Sequence, residues 1–424
     1  MQKVNTNKLY RYLSLMIAVL ITTLPSCNEF DDEIPTINGF TDVQPMTGIV
    51  LWEDYYWEDD GGRAIADVIS LEYSYMAYSD VLATEGSYNW SAVEAKLNSI
   101  ASRKHQAILR FYYVYPGFET TVPQYIKDLP NYDETEAKVE GKATWFCDWS
   151  NDELKDFTLE FYTKFAQQYD DDPRLAFLQV GFGLWAEYHI YDGPFILGQT
   201  FPSKAFQEEF FNHMDNAFLT TQWSISIDAA GSDNGPFHDV PNLLNLNFGV
   251  FDDSFMCKPH ASENEPNWNF FNRSRYQNAP AGGEFSYYSS HDQKNVLAPS
   301  GAHGESYESF AERFHITYMI GGDQPSYHAV ERIKAASLSS GYKFEVLSVT
   351  TNGGQTIIKA KNIGVAPIYY DAFFSLNNVR SIESLKTLMP GQERVFTINY
   401  VGDETLRIDC DRLVEGQIIQ FITY

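Results

Sequence analysis

A carboxylic acid inside an aromatic cluster is well suited to proton transfer, and this 424-residue sequence holds one. Glu187 lies in the segment Gly181–His189, next to Trp185 and Tyr188. Aromatic neighbours lower the local dielectric constant and raise the pKa of a carboxyl group, as a general acid requires. We predict that Glu187 points into the opening of its fold and donates a proton there. The alternative is a structural glutamate bonded to the backbone.

A second carboxylate, Glu284, follows two consecutive glycines, which allow a backbone or a ligand to approach closely. Two facing carboxylates can cleave a glycosidic bond. A separation of about 5–5.5 Å gives retention of configuration, and one of about 6.5–9.5 Å gives inversion. We predict that Glu284 is the partner of Glu187, at a separation that the sequence leaves open. A turn glutamate paired with Arg273 or Arg275 is the alternative.

Further side chains could hold a sugar beside these two carboxylates. Arg110 could brace a carboxylate or bind a sugar hydroxyl, or instead form a salt bridge inside the fold. Asp252 and Asp253, at the end of the sixth predicted strand, could bind sugar hydroxyls or a cation, or lie in a solvated turn. The indoles of Trp52 and Trp57 could stack on sugar rings or pack in the core. The predicted substrate-binding residues are Arg110, Tyr112, Trp185, His189, Asp252, Trp52 and Trp57.

The elements that must position these residues alternate between strands and helices. Apolar residues recur with helical spacing in 90–101 and in 152–169. Eight strands alternating with helices are the signature of a (β/α)8 TIM barrel of the α/β class, whose sites lie at the carboxyl ends of its strands. The predicted strands are Gly48–Trp52, Ile69–Tyr75, Ala107–Val114, Ala176–Trp185, Ser224–Asp228, Leu246–Phe251, Gly283–Tyr287 and His315–Ile320.

The pattern changes at Tyr342, where short strands separated by Gly, Asn and Pro turns replace the helical spacing. This pattern predicts a small antiparallel β-sandwich. We therefore divide the chain into a barrel at residues 45–340 and a sandwich at 341–424. The predicted strands of the sandwich are Phe344–Val349, Gln355–Asn362, Tyr369–Leu376, Glu393–Tyr400 and Glu404–Cys410.

The first 26 residues have the pattern of a secretory signal peptide: a basic start, then the apolar run Leu13–Leu24, which is too short to span a bilayer. Leu24–Cys27 resembles the lipobox of bacterial lipoproteins, in which the cysteine is acylated. Asn28–Glu33 resembles the acidic tag of lipoproteins on the outer face of Gram-negative cells. We predict a signal peptide at 1–26, a lipid on Cys27, a tether at 27–44 and attachment to the cell outer membrane. An uncleaved anchor or ordinary secretion is the alternative.

The composition excludes several classes of partner. The net charge of −27 argues against binding to nucleic acid or to an anionic membrane face, both of which depend on clustered Lys and Arg. An aromatic share of 16% fits a surface that stacks on sugars. The sequence has no phosphate loop, dinucleotide fingerprint or convincing metal-ligand spacing. We predict a polysaccharide or oligosaccharide partner, with neither a metal nor a cofactor.

Several segments resemble families of sugar-cleaving proteins. Glu85–Trp90 resembles the "EG-x-Y-x-W/F" segment of clan-A glycoside hydrolases, and His105–Arg110 resembles their third strand. Gly183–His189, Gly282–Glu284 and Lys361–Tyr369 (KNIGVAPIY) together resemble a narrower family, catalogued as domain of unknown function four-eight-three-two, whose barrel carries a C-terminal sandwich. The resemblance extends over nearly the whole chain after the signal peptide.

The resemblance implies a glycosidase-like surface lipoprotein of a glycan-foraging bacterium, with Glu187 as acid/base and Glu284 as nucleophile. The larger clan has Asn before its acid/base to bond the sugar 2-hydroxyl, whereas this chain has Ala186. Three functions therefore stay open: a surface glycoside hydrolase, a glycan-binding lipoprotein without catalysis, and an adhesion partner that uses the sandwich.

Overall fold

The computed structural model describes residues 39–55, 57 and 59–423. The predicted signal peptide, the lipidation site at Cys27 and most of the predicted tether lie outside these residues. Within them, no helix has the length and apolar character needed to cross a membrane.

Eight parallel strands close into a barrel, as the alternating pattern predicts. The strands of the barrel and its loops are β1 (Gly48–Trp52), β2 (Leu71–Ala77), β3 (Leu82–Thr84), β4 (Ser87–Tyr88), β5 (Gln106–Tyr112), β6 (Thr135–Val139), β7 (Lys142–Phe146), β8 (Leu175–Val180), β9 (Gln222–Ser226), β10 (Gly249–Phe255), β11 (Ala281–Phe285) and β12 (Tyr318–Ile320). The barrel runs β1, β2, β5, β8, β9, β10, β11, β12 and back to β1. The two short pairs, β3–β4 and β6–β7, are antiparallel hairpins in its loops.

Helices cover the outside of the barrel. They are α1 (Asp60–Ala66), α2 (Ser91–Ser102), α3 (Gln124–Lys127), α4 (Asp152–Tyr169), α5 (Lys204–Ala217), α6 (Asn264–Phe270), α7 (Ser290–Asn295), α8 (Tyr307–Phe314) and α9 (Val330–Leu338). The longest, α4, begins where the Asn151 side chain accepts hydrogen bonds from two backbone N–H groups. Its apolar stripe buries Phe157, Phe161 and Phe165 in the layer between the helices and the barrel.

Of the eight barrel strands, only β1 has the predicted bounds, and two of the differences have clear local reasons. The fourth barrel strand, β8, ends at Val180 rather than at Trp185, because Gly181 begins a tight turn. The eighth, β12, begins at Tyr318 rather than at His315. His315 has φ 54°, the left-handed conformation that ends α8, so it cannot be extended.

Two further sheets follow the barrel. Their strands are β13 (Phe344–Asn352), β14 (Gln355–Asn362), β15 (Ala372–Leu376), β16 (Val379–Arg380), β17 (Glu393–Ile398), β18 (Arg407–Cys410) and β19 (Phe421–Thr423). One sheet has the order β17-β14-β13-β19 and the other β16-β15-β18. All pairings are antiparallel except that of β13 with β19.

The sandwich covers the amino-terminal end of the barrel. The Tyr370 hydroxyl donates to the carbonyl of Ala176 at the start of β8 and accepts the Gln222 N–H at 3.2 Å. Arg412 donates to the carbonyl of Leu175 at 2.6 Å and to that of Asp170 at 3.0 Å. We call this closed end, marked by Phe177, Tyr369, Tyr370 and Arg412, the floor. The site must therefore lie at the opposite end.

Candidate active site

The turn after β8 aims Glu187 into the carboxyl end of the barrel. Trp185 and Ala186 have φ of 54° and 57°, and the turn is closed by N–H groups of Ala186 and Glu187 bonding to the carbonyls of Gly183 and Leu184 at 3.1 and 2.9 Å. A Cβ on Gly183 would overlap the carbonyl of His189. Two consecutive left-handed residues without glycine are strained, and such strain concentrates at functional sites.

Arg110 on β5 organises the interior of this end. The side chain is 2% exposed, and its Nε donates to the Gln179 Oε1 at 2.9 Å. One terminal nitrogen lies 3.9 Å from a Glu187 carboxylate oxygen, and the other donates to Asp253 Oδ1 at 3.0 Å. The guanidinium also lies 4.3 Å from the centroid of the Phe251 ring. Arg110 thus combines both predicted roles, because it bonds inside the barrel and faces the site carboxylates.

Glu187 belongs to a chain of three side chains. Its Oε2 lies 3.2 Å from His189 Nε2, and His189 Nδ1 lies 2.6 Å from Asp228 Oδ2. A histidine between two carboxylates needs a second proton, carried by the ring or by one of the carboxyl groups. This chain can therefore store a proton beside the Glu187 carboxyl, which the structural alternative, a backbone-bonded glutamate, does not explain.

Glu284 faces the same interior from β11. The glycine before it on that face, Gly282, has no room for a Cβ because the ring of Tyr318 lies against it. Arg273 pairs with Glu265, and Arg275 donates to four backbone carbonyls, so neither neutralises Glu284. No hydrogen bond or ion pair joins the Glu284 carboxylate to another described residue. The turn-glutamate alternative is therefore wrong.

The sixth strand contributes Asp253 rather than Asp252. β10 continues to Phe255, and side chains alternate along it, so Asp253 shares the inward face of Phe251 while Asp252 points outward. The buried Asp252 carboxylate accepts hydrogen bonds from Asn264 at 2.7 Å and from Trp268 at 3.1 Å. The prediction that Asp252 binds substrate is wrong for that reason. Asp253 Oδ2 is buried without a hydrogen-bond partner among the described residues.

Trp57 lies outside the site as well. Its indole N–H donates to the Glu53 carbonyl at 2.9 Å, and its ring is buried against Arg103 and His105. Trp57 therefore packs in the core and does not stack on a sugar. Trp52 stays at the open end, where its ring contacts Tyr73 and Tyr75 with centroid distances of 5.0 and 5.5 Å.

Burial raises the pKa of each carboxyl group in this cluster. The pKa of Glu284 rises to about 8, mainly because of burial and then because of the nearby charge of Asp253. The pKa of Glu187 rises well above its usual range for the same two reasons, against the opposing charge of Arg110. The pKa of Asp253 is raised by burial, while Arg110 lowers it. We call this end, with Arg110, Glu187, Asp253 and Glu284, the mouth.

One side of the mouth carries a continuous series of aromatic rings. Each ring lies within 6.2 Å of the next, measured between centroids. Trp185 stacks on Tyr191 with an angle of 12° between their planes, and Tyr191 is 56% exposed. We call this series the aromatic wall; its members are Trp52, Tyr75, Tyr112, Tyr115, Trp185 and Tyr191.

Of the predicted site residues, the structure brings together Glu187, Glu284, Arg110, Tyr112, Trp185, His189 and Trp52. Sequence reasoning missed Asp228, and of the pair Asp252 and Asp253 it chose Asp252 as the site residue. The alternation along β10 could have identified Asp253, since Phe251 and Asp253 are two residues apart. Nothing in the sequence links Asp228 to His189. No three His, Cys, Asp or Glu side chains of the described chain converge as a metal site.

Comparisons with known proteins give likeness of fold only. No family model and no curated protein matches this chain, so the resemblance to the domain-of-unknown-function family is not confirmed. Among solved structures, it is similar to an endo-glycoceramidase II from Rhodococcus sp., with 10% identity, a TM-score of 0.45, and coverage of 86% of this chain and 96% of that chain.

A family 39 glycoside hydrolase from Bacteroides cellulosilyticus gives 10% identity, a TM-score of 0.42, and coverage of 84% of this chain and 81% of that chain. An alpha-galactosidase from Thermus thermophilus gives 13% identity and a TM-score of 0.40, with coverage of 74% of this chain. This chain spans 65% of the length of that galactosidase.

Proposed function

We propose that this protein is a cell-surface glycoside hydrolase that cleaves a polysaccharide or oligosaccharide in the mouth of its barrel. The observation that carries the proposal is a cluster of three carboxyl groups, Glu187, Asp253 and Glu284, near the Arg110 guanidinium and beside the aromatic wall; Glu187 is buried and the other two are half-buried. Buried carboxyl groups with raised pKa supply both a proton and a negative charge at near-neutral pH, and glycosidic cleavage needs both.

In the proposed reaction, the Glu187 carboxyl group donates its proton to the glycosidic oxygen as the bond from that oxygen to the anomeric carbon breaks. Glu284, which its pKa of about 8 leaves as a carboxylate in only part of the molecules at neutral pH, attacks the anomeric carbon in that ionised form and makes a glycosyl ester. Glu187, now a carboxylate, takes a proton from water, whose oxygen displaces Glu284. One water molecule is consumed, and both carboxyl groups return to their first state.

The neighbours of the two glutamates have distinct parts in this proposal. Arg110 and His189 contact Glu187 and hold its carboxyl group in place. Asp253 adds negative charge close to Glu187 and Glu284, which favours the positive charge that develops on the sugar in the transition state. Rings of the aromatic wall stack on the sugars.

The proposed location rests on the amino-terminal sequence. A signal peptide at 1–26 and a lipid on Cys27 would anchor the protein in the outer membrane, with the barrel held outside the cell by the tether. This placement fits a substrate that is too large to enter the cell.

The test is a product screen with a soluble chain that begins after Cys27, against plant, algal and host glycans. We expect new reducing ends from the parent chain, and a loss of about 1,000-fold or more in Glu187→Gln and in Glu284→Gln. Glu209→Gln, an exposed change on α5, is the matched control and should keep full activity. Undiminished hydrolysis in both site variants would overturn the assignment.

The second candidate is a glycan-binding protein without catalysis, and Ala186 favours it. The residue before Glu187 is fully buried and has no side-chain group to bond a sugar hydroxyl. This candidate predicts glycan binding that depends on Trp185 and Tyr191, with no product after prolonged incubation. The product screen separates it from the first.

A further inference from the structure

A cavity of about 420 Å³ opens at the carboxyl end of the barrel, outside the carboxylate cluster. It lies between the loops that follow β10 and β11, where it is within the size range of small-ligand sites. The residues that line it are Lys258, Tyr288, Ser289, His291, Asp292 and His303.

The negative charge in this cavity is already engaged by the protein. Asp292 is 3% exposed, and its carboxylate accepts hydrogen bonds from the hydroxyls of Ser286 and Ser289, both at 2.7 Å. His303 Nε2 lies 3.0 Å from the same carboxylate. These donors keep Asp292 ionised and lower its pKa although burial acts in the opposite direction.

The group left to meet a ligand is a cation. No carboxylate of the described residues forms an ion pair with the exposed Lys258. His291 donates from Nε2 to the Ala302 carbonyl at 2.9 Å, which fixes its ring 5.6 Å from that of His303. Tyr288 is 66% exposed at the edge of the cavity. Among the residues that line the cavity, Lys258 is thus a cation that no described carboxylate neutralises.

The cavity and the mouth share two strands. Asp253 on β10 and Glu284 on β11 belong to the mouth, and residues of the loops that follow the same two strands line the cavity. The aromatic wall lies after β1, β2, β5 and β8, whereas the cavity lies after β10 and β11. A glycan crossing the mouth from the wall would therefore reach the cavity.

We propose that this cavity is a subsite for a sugar residue that carries an anionic group, a carboxylate or a sulfate ester, with Lys258 as its main charge partner. The inference rests on the proposed glycan function and names its substrate class. The protein as a whole repels anions, so a local cation that no carboxylate neutralises is what an anionic sugar would need. The mouth itself, rich in carboxylates, would hold the uncharged neighbour of that sugar.

The test measures binding by calorimetry at low ionic strength, with the soluble chain that begins after Cys27. The probes are uronic-acid hexasaccharides, sulfated hexasaccharides and carboxyl-reduced uronic hexasaccharides, which keep the sugar but lose the charge. We expect one of the two anionic sets to bind and the reduced set to bind at least tenfold more weakly. Lys258→Met should weaken anionic binding about tenfold or more, and Lys294→Met, an exposed change on α7 away from the cavity lining, should leave it unchanged.

The outcomes separate this inference from the proposed function. Equal binding of the charged and reduced probes, no binding of either anionic set, or an equal effect of both lysine variants would overturn the subsite. Cleavage of neutral glycans alongside any of these results would leave the hydrolase proposal standing. Lysine-dependent binding of an anionic set without product would support the subsite and count against hydrolysis.

Discussion

Arg412 at the floor and Arg110 in the mouth are both buried guanidinium groups, but they meet different partners. Arg412 donates to the carbonyls of Asp170 and Leu175 and to the Thr221 hydroxyl, all neutral groups that belong to the barrel. Arg110 instead faces two carboxylates, while a third carboxyl group lies nearby. One positive charge among three acids leaves protons to be held by the acids themselves.

The difference shows how one barrel separates stability from chemistry. The floor uses its buried charge to fasten the sandwich over the strand ends, since Arg412 of the sandwich donates to the carbonyls of Asp170 and Leu175 in the barrel. The mouth buries acids that repel one another, which costs stability and raises their pKa. Substitutions at the two ends should therefore change the free energy of unfolding in opposite directions.

The largest effect is expected at the floor. Arg412→Met removes donors from two backbone carbonyls and a hydroxyl, so we expect the free energy of unfolding to fall by about 3 kcal/mol. Denaturant unfolding measures this change. Arg407→Met, on the exposed surface of the sandwich, is the control and should cost less than about 0.5 kcal/mol. A loss below about 1 kcal/mol in Arg412→Met would show that the floor is not fastened in this way.

At the mouth, Glu284→Gln should stabilise the protein as the pH rises. Because the pKa of Glu284 is raised to about 8 in the folded state, its carboxyl group contributes stability at low pH that is lost as the pH rises from about 4 through about 8. Glutamine does not ionise, so the variant should gain about 1–3 kcal/mol over the parent at pH 9, after allowance for solvent.

The measurement is denaturant unfolding of both chains at pH 5 and pH 9. Glu209→Gln serves as the control. Its free energy of unfolding should differ from that of the parent by the same amount at both pH values. If Glu284→Gln were equally stable relative to the parent at both, the contrast between mouth and floor would be broken.

A smaller effect tests the chain from Asp228 to Glu187. Burial lowers the pKa of His189, but the hydrogen bond and charge of Asp228 outweigh it and raise the pKa overall. Asp228→Asn should lower the pKa of His189 by about one unit, observed in imidazole NMR titration. The exposed change Asp233→Asn should leave the pKa of His189 unchanged. An unchanged His189 titration in Asp228→Asn would remove Asp228 from the site.

The smallest effect concerns backbone strain in the turn that carries Glu187. Ala186 has φ 57°, where glycine is favoured, so Ala186→Gly should stabilise the protein by about 0.5 kcal/mol. Ala101→Gly, in the regular helix α2, should destabilise it by up to about 1 kcal/mol. Thermal unfolding compares the two, and destabilisation by both would show that the turn is not strained.

The strands of the barrel were predictable because apolar runs between helical patterns leave few other arrangements. β1 and α4 have the predicted bounds, whereas β8 ends early at Gly181. The early end of β8 depends on the carbonyl of Ala186, which lies against Gly181 from the following turn. No local pattern in the sequence encodes this contact. The parallel pairing of β13 with β19 also joins residues distant in sequence.

The site was predictable to the extent that it depends on which residues lie at the carboxyl ends of the barrel strands. Glu187 and Glu284 follow or lie in strands whose carboxyl ends meet in a barrel, so their proximity follows from topology. Asp252 was predicted to be the site residue in place of Asp253 because the predicted sixth strand stopped at Phe251. The residues beyond Phe251 were therefore not assigned to an inward or an outward face. Asp228 bonds His189 across two loops, which only the folded backbone places together.

Carboxyl titration tests the central claim, that the mouth raises the pKa of its glutamates, without depending on any substrate. Carbon-13 NMR of protein labelled at glutamate gives the pKa of Glu284 directly. The Glu284 signal is assigned as the one that is missing in Glu284→Gln. The account predicts a pKa of about 8 for Glu284, well above those of exposed glutamates. A Glu284 pKa near 4, equal to the pKa of the exposed glutamates, would contradict the central claim.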